Sequence, residues 1–259
     1  MSKRSERKSR KNRNFHNVKS NGNNVHPFFD NHNHHGSDWH PLDDEIDSNR
    51  DQRYLKKIKP RSDGQEELMQ AIKSHALTMA IGPAGTGKTY LAIAAAVEAL
   101  EDGKIERIIL SRPAMEAGES LGYLPGDMHE KMAPYLRPLY DALGDRLGGK
   151  KVRQYMDEGT IEIAPVGFMR GRTLNNAFVV IDEAQNCTYG QIKMLVSRLG
   201  WHSTMVVTGD PEQSDLLDGL SGLADISRRL DALPNVAVIR LGQRDIVRHP
   251  LVAEMLEVL

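Results

Sequence analysis

The chain is short of several things. It has one cysteine among 259 residues, Cys187, so it has neither an internal disulfide nor a cysteine-built zinc site. That usage suits a reducing cytoplasm. No run approaches the ~18 consecutive apolar residues of a membrane-spanning helix. The basic N-terminus has no apolar stretch behind it, so it does not read as a secretory signal. Net charge is also scarce: 34 basic and 35 acidic side chains leave −1. A uniformly basic nucleic-acid coat is thereby excluded, although a basic segment hidden in the average is not.

Such a segment exists. Residues 1–20 carry eight Lys or Arg and one Glu. Residues 1–50 hold only nine apolar side chains, against about 44% apolar in the remainder. Nine Asn and six of the ten His also fall in this stretch. Residues 1–50 are therefore expected to be a disordered tail. Its basic start suits either phosphate neutralisation on a nucleic acid or plain solubility. The run around His32, His34, His35 and His40 lacks carboxylate or cysteine partners at fixed spacing, which argues against a metal site. Phe28, Phe29 and Trp39 are unusual in such a tail and suit docking onto the domain or a neighbouring subunit.

From about Tyr54 the pattern changes to a folded domain. Apolar runs at 76–81, 107–111, 178–182, 204–208 and 236–240 are short, and most are rich in Val and Ile; a further strand is expected at 160–164. Such runs predict strands buried on both faces, as in a parallel sheet. Helices are expected at about 63–74, 88–101, 128–147, 188–199, 220–231 and 245–257. Alternation of strand and helix predicts an α/β domain with a parallel sheet between helices. Met194, Leu195 and Leu199 read as core, and Cys187 as a small packing residue.

Three motifs carry chemistry. Residues 82–89, GPAGTGKT, satisfy G-x-x-x-x-G-K-[ST] between an apolar strand and an alanine-rich helix. Gly82, Pro83, Ala84, Gly85, Thr86 and Gly87 form a loop whose N–H groups can wrap a phosphate. Lys88 is placed for the β- and γ-phosphates and Thr89 for Mg²⁺. Next, residues 178–185, FVVIDEAQ, end an apolar strand in two carboxylates. Asp182 suits Mg²⁺ through its water shell, and Glu183 suits polarising an attacking water. Residues 206–213, VVTGDPEQ, end another strand in a polar turn from which Gln213 can reach a γ-phosphate. In a parallel sheet these turns gather on one edge. Upstream, the Gln65 side chain suits reading adenine, or simply faces solvent.

These blocks together resemble the PhoH family, ATPases similar to the first RecA-like domain of superfamily-one helicases. The resemblance also takes in Ser111–Ala114, Glu116–Glu119, Leu121–Asp127, Met169–Leu174 and Asp245–Pro250, and spans about residues 55–259. It implies ATP and Mg²⁺ as cofactors and RNA or single-stranded DNA as partner. Residue by residue it implies Gln65 for adenine, Lys88 and Thr89 for phosphate and metal, Asp182 and Glu183 for metal and hydrolysis, and Gln213 as γ-phosphate sensor. Arg112 falls in the segment that runs under the single strand in helicases. Ser111 stands where the family usually has Thr, and residues 241–244, LGQR, look more helicase-like than PhoH-like. Arg244 and Arg248 are then both eligible as the γ-phosphate arginine.

Arg170 and Arg172 flank Gly171 before the acidic strand and suit phosphate contact or a site on a neighbouring subunit. Residues 115–150 read as an insertion, in which Tyr123, Tyr135, Tyr140 and Arg137 suit either base stacking or packing. Helicases of this kind place ATP between two RecA-like domains, and this chain reads as one. A homo-oligomer, such as a hexameric ring, is therefore expected. The alternative is an ATP-dependent nucleic-acid-binding switch without motor action. A small-molecule kinase is disfavoured by the acidic pair and the Gln213 turn. The expected location is a bacterial cytoplasm, or a host cytoplasm if the source is a virus. The family name refers to phosphate starvation, but no residue here is seen to sense it.

Overall fold

The computed structural model describes residues 58–113, 128–217 and 219–247. Six strands form one all-parallel sheet: β1 Leu77–Ile81, β2 Arg107–Arg112, β3 Ile161–Pro165, β4 Ala177–Ile181, β5 Thr204–Gly209 and β6 Val236–Arg240. Their spatial order is β3-β2-β4-β5-β1-β6. All six expected strands are present, each within about a residue of its expected bounds. The α/β RecA-like class implied by the resemblance is the one observed.

The side-chain period of two divides each strand between two cores. Ala80, Ile108, Leu110, Phe178, Val180 and Val206 face α1 Asp63–Ser74, α2 Lys88–Glu101, α3 Met128–Leu147 and α4 Gly149–Asp157. Met79, Ile81, Ile109, Val179, Ile181 and Val207 face α5 Tyr189–Val196 and α6 Leu223–Leu230. Covering both faces of the sheet is what permits its strands to be apolar almost throughout.

Local signals explain the helix starts. The Ser62 hydroxyl accepts from the Gln65 N–H at the start of α1. Thr188 and Gln191 close a reciprocal capping box at α5. Gly87 begins α2 with φ +81°, a left-handed conformation that favours glycine.

Several boundaries differ from expectation. The 188–199 helix stops at Val196, because the chain turns to pair Leu174 with Leu199. The 220–231 helix begins only at Leu223. Where the 245–257 helix is expected to begin, a 3-10 turn, Gln243–Asp245, ends and residues 246–247 are not helical; the rest of that expected helix lies outside the described residues. The short helix α4 has no counterpart in the sequence reading. The tail of residues 1–50 and its aromatics lie outside the described residues.

The helix expected at 128–147 is α3, and it packs into the core, with Leu136, Leu139, Tyr140 and Leu143 fully buried. Tyr140 therefore packs and does not stack bases; burial pushes its phenol pKa well up. Tyr123 lies outside the described residues. Among the described residues, no helix is long and apolar enough to cross a membrane.

Candidate nucleotide site

The carboxyl ends of β1, β4 and β5 meet at one cleft of about 390 Å³. Its lining is Ala84, Gly85, Gly87, Lys88, Thr89 and Tyr90 from the P-loop side, Asp182 and Glu183 after β4, and Thr208, Gly209, Asp210 and Gln213 from β5 and its turn, with Val247. A parallel sheet collects these segments on one edge whatever their separation in sequence. Strand β5 stands between the P-loop strand and the acidic strand.

The P-loop is braced from behind. Gly82 takes φ +147°, and a Cβ there would strike the Leu241 carbonyl. The Leu241 N–H donates to Ile81 O, and the Val247 N–H donates to Gly85 O at 2.9 Å. Residues 241–247 thus back the phosphate loop. Asp245 fastens this segment: it is buried, accepts from the Gly242 N–H at 2.8 Å and sits against Gly64 at the start of α1. Its carboxyl is held below the usual range, first by the Gly242 N–H and then, against burial, by Ser62 and the Gly64 N–H.

Lys88 folds back onto the loop. Its ammonium donates to Gly82 O at 2.6 Å, Pro83 O at 2.8 Å and Thr86 Oγ1 at 3.4 Å. Burial lowers its pKa, while Asp210, Glu183 and Asp182 oppose the shift. A partly desolvated ammonium among backbone carbonyls is one that a polyphosphate can recruit.

The acidic pair is wired asymmetrically. Asp182 Oδ1 accepts from the Thr89 hydroxyl at 2.5 Å and from the Thr208 hydroxyl at 2.7 Å. Two neighbouring hard oxygens, Thr89 Oγ1 and the nearly buried Asp182 carboxylate, suit a small divalent cation. Glu183 follows with φ +53°, a left-handed conformation uncommon outside glycine. Glu183 Oε2 accepts from the Gln185 side-chain amide, whose own oxygen accepts from the Asp210 N–H at 3.0 Å. Asn186 and Asp215 add a reciprocal pair of hydrogen bonds at 2.8 Å. The turn after β4 and the turn after β5 are thereby one connected unit. Thr208, Gln185 and Asp210 stood inside the quoted motifs, but sequence spacing assigned them no task.

The other expected residues are dispersed. Gln213 is exposed and lines the cleft. Gln65 is buried; its amide donates to Thr86 O at 3.0 Å and accepts from the Arg61 N–H at 2.9 Å. It therefore braces the phosphate loop, and it does not face solvent. Arg112 lies 3.6 Å from both Asp182 Oδ2 and Glu183 Oε1. It stands beside the two acidic residues that line the cleft. Arg172 is held in a bidentate pair with Glu162 at 2.6 and 2.7 Å. Arg170 and Arg244 are exposed, Arg137 is half-buried on α3, and Arg248 lies outside the described residues. Cys187 is fully buried, and burial pushes its thiol up to about 12, which suits packing and not nucleophilic attack.

Comparison with known proteins agrees with this geometry. Residues 57–259 match the family model described as PhoH-like protein. A PhoH-like protein of Bacillus subtilis is 55% identical over 203 residues, covering 78% of this chain and 64% of that protein. Protein PhoH of Escherichia coli K12 is 45% identical over 205 residues, covering 78% and 58%. The chain thus spans less than two thirds of the length of these relatives. Among solved structures, the large terminase of bacteriophage D6E has a TM-score of 0.47 at 12% identity, covering 77% of this chain and 50% of that one. The phosphate loop, the acidic strand end and the match along the whole described domain identify the chain as a member of the PhoH-like family.

Proposed function

We propose that this chain is a Mg²⁺-dependent ATPase that acts on RNA or single-stranded DNA. The observation that carries the reading is the Thr89–Asp182 contact across the cleft, with Lys88 on one side and Glu183 on the other. In this reading Lys88 binds the β- and γ-phosphates, while Thr89 and Asp182 hold the metal. Glu183 orients the attacking water and accepts its proton. The bound cation neutralises charge that develops on the phosphate oxygens. Gln213 senses the γ-phosphate from the β5 turn. That turn is coupled to Glu183 through Gln185, which gives hydrolysis a route to move a neighbouring surface.

Completion of the site by a second copy of the chain is part of the proposal. Arg244, exposed on the segment that backs the P-loop, and Arg248 are the candidates for the arginine. Arg170 is a candidate for nucleic-acid contact. Gln65, through Thr86, supports the loop and stands close to where an adenine ring would lie. A slow ATP-dependent switch is the second reading. It is favoured by the engagement of both Glu183 oxygens, one by Gln185 and one beside Arg112.

The test is ATP hydrolysis with and without single-stranded RNA and DNA, beside Glu183→Gln. Stimulation by one polymer, lost in the variant, is the expected result and names the substrate. Hydrolysis indifferent to both would overturn the nucleic-acid reading. Strand displacement separates motor from switch, and full turnover by a dilute monomer would sink the shared-site proposal.

A further inference from the structure

Four oxygens of the acidic pair have distinct partners. Asp182 Oδ1 is taken by the hydroxyls of Thr89 and Thr208, and Glu183 Oε2 by Gln185. The two remaining oxygens, Asp182 Oδ2 and Glu183 Oε1, both face the Arg112 guanidinium, at 3.6 Å each. The sheet imposes this. Strand β2 pairs with β4 with Ser111 opposite Ile181, and the Asp182 N–H donates to Ser111 O at 2.8 Å. The next residue on each strand is Arg112 and Asp182.

The quality of the contact is informative. At 3.6 Å the guanidinium attracts both carboxylates but makes a proper hydrogen bond to neither. Among the described residues no hydrogen bond holds it. Arg172 shows what the same side chain does when its role is to stay, with two short parallel bonds to Glu162. Arg112 instead balances charge without being anchored, at about one-fifth exposure, on the acidic pair that includes Asp182, the carboxylate expected to hold the metal.

We propose that Arg112 is the resident counter-ion of the Asp182–Glu183 pair, which an entering divalent cation displaces. Arg112 is then a positioning residue: it sets how tightly the cleft takes its metal and holds Glu183 aside until the metal arrives. The inference rests on the nucleotide–metal reading above. Displacement is inexpensive because no directional bond breaks. The repulsion between guanidinium and metal at such range is what the site trades for specificity toward the metal–nucleotide complex.

The test is uptake of Mn²⁺ by the full chain in the presence of ADP, followed by the paramagnetic signal of free Mn²⁺, so that no turnover is needed. Arg112→Ala and Arg112→Gln are expected to bind Mn²⁺ roughly tenfold more tightly than the parent, since a like charge within ~4 Å has been removed. Arg112→Lys, which keeps the charge, should stay near the parent. A residue that merely supported the fold would give the opposite sign, because its loss would disorder the carboxylates. Unchanged or weaker Mn²⁺ binding in the folded Gln variant overturns the proposal, and that variant decides the matter if the Ala variant does not fold. Asp182→Asn separates the two levels. If the parent shows no ADP-dependent Mn²⁺ uptake that Asp182→Asn removes, the nucleotide–metal reading itself falls, and this inference with it.

Discussion

Two of the arginines that meet carboxylates in this chain, Arg172 and Arg112, do so in different ways. Beside the edge strand β3, Arg172 grips Glu162 with two short hydrogen bonds, and both side chains are about six-sevenths buried. In the cleft, Arg112 stands 3.6 Å from two carboxylates and bonds to neither. On the flank the two opposite charges satisfy each other directly. The cleft leaves charges paired but exchangeable, with an ammonium resting on loop carbonyls and a glutamate in left-handed backbone. A region that only supports can close its interactions fully. A region that binds must keep partners that a ligand can replace.

The sharpest way to break this contrast is in the cleft. Lys88→Ala should reduce ATP hydrolysis by roughly three orders of magnitude and weaken nucleotide binding with it. Glu183→Gln should cost on the order of 10²–10⁴ in turnover while leaving ADP binding intact, which equilibrium binding beside steady-state kinetics would separate. Both variants should melt close to the parent, because neither contact is a closed structural one.

On the flank the signs reverse. Arg172→Ala leaves a mostly buried Glu162 without this partner, and should cost about 2 kcal/mol after allowance for its residual exposure. That lowers the melting temperature by roughly 4–8 °C, with ADP affinity unchanged. A loss of ADP affinity would show that the flank is coupled to the cleft.

The floor beneath the cleft should behave like the flank. Cys187, with its thiol raised to about 12, should resist alkylation at pH 8 in the folded chain and react once urea unfolds it. The smallest effect concerns Asp245. Its folded pKa is lowered, so its contribution is present above the ordinary value of 3.8 and is lost as pH falls through the folded value. Asp245→Asn should therefore melt about 1 kcal/mol below the parent at pH 7, with the gap closing below about pH 4. A gap that widened in acid would reverse the assigned sign.

Much of this molecule was readable in advance, for a definite reason. The P-loop and the Asp182–Glu183 strand end are contiguous motifs, and their chemistry depends on backbone conformations set within eight or nine residues. Strands of β-branched residues, buried on both faces, announce themselves by composition. Elsewhere local patterns were insufficient. Helix α4 is short and polar, and although helix α3 is expected at its place, its sequence leaves open whether Tyr140 stacks bases or packs in the core. Gln65 sits on the helix next to the P-loop, as its spacing suggests, but its amide is spent on the backbone of Thr86 and Arg61.

Local sequence therefore decided the family, the parallel α/β class and the identity of the P-loop and acidic residues that line the cleft. Those features are carried by short segments whose propensities and glycines act over a few residues. Tertiary structure alone decided who stands beside whom. Arg112 faces Asp182 because β2 lies against β4, across some seventy residues of chain. Arg172 is paired off because β3 presents Glu162 to it. The partner of a charge is set by strand order and register, which are properties of the assembled sheet and of no single segment.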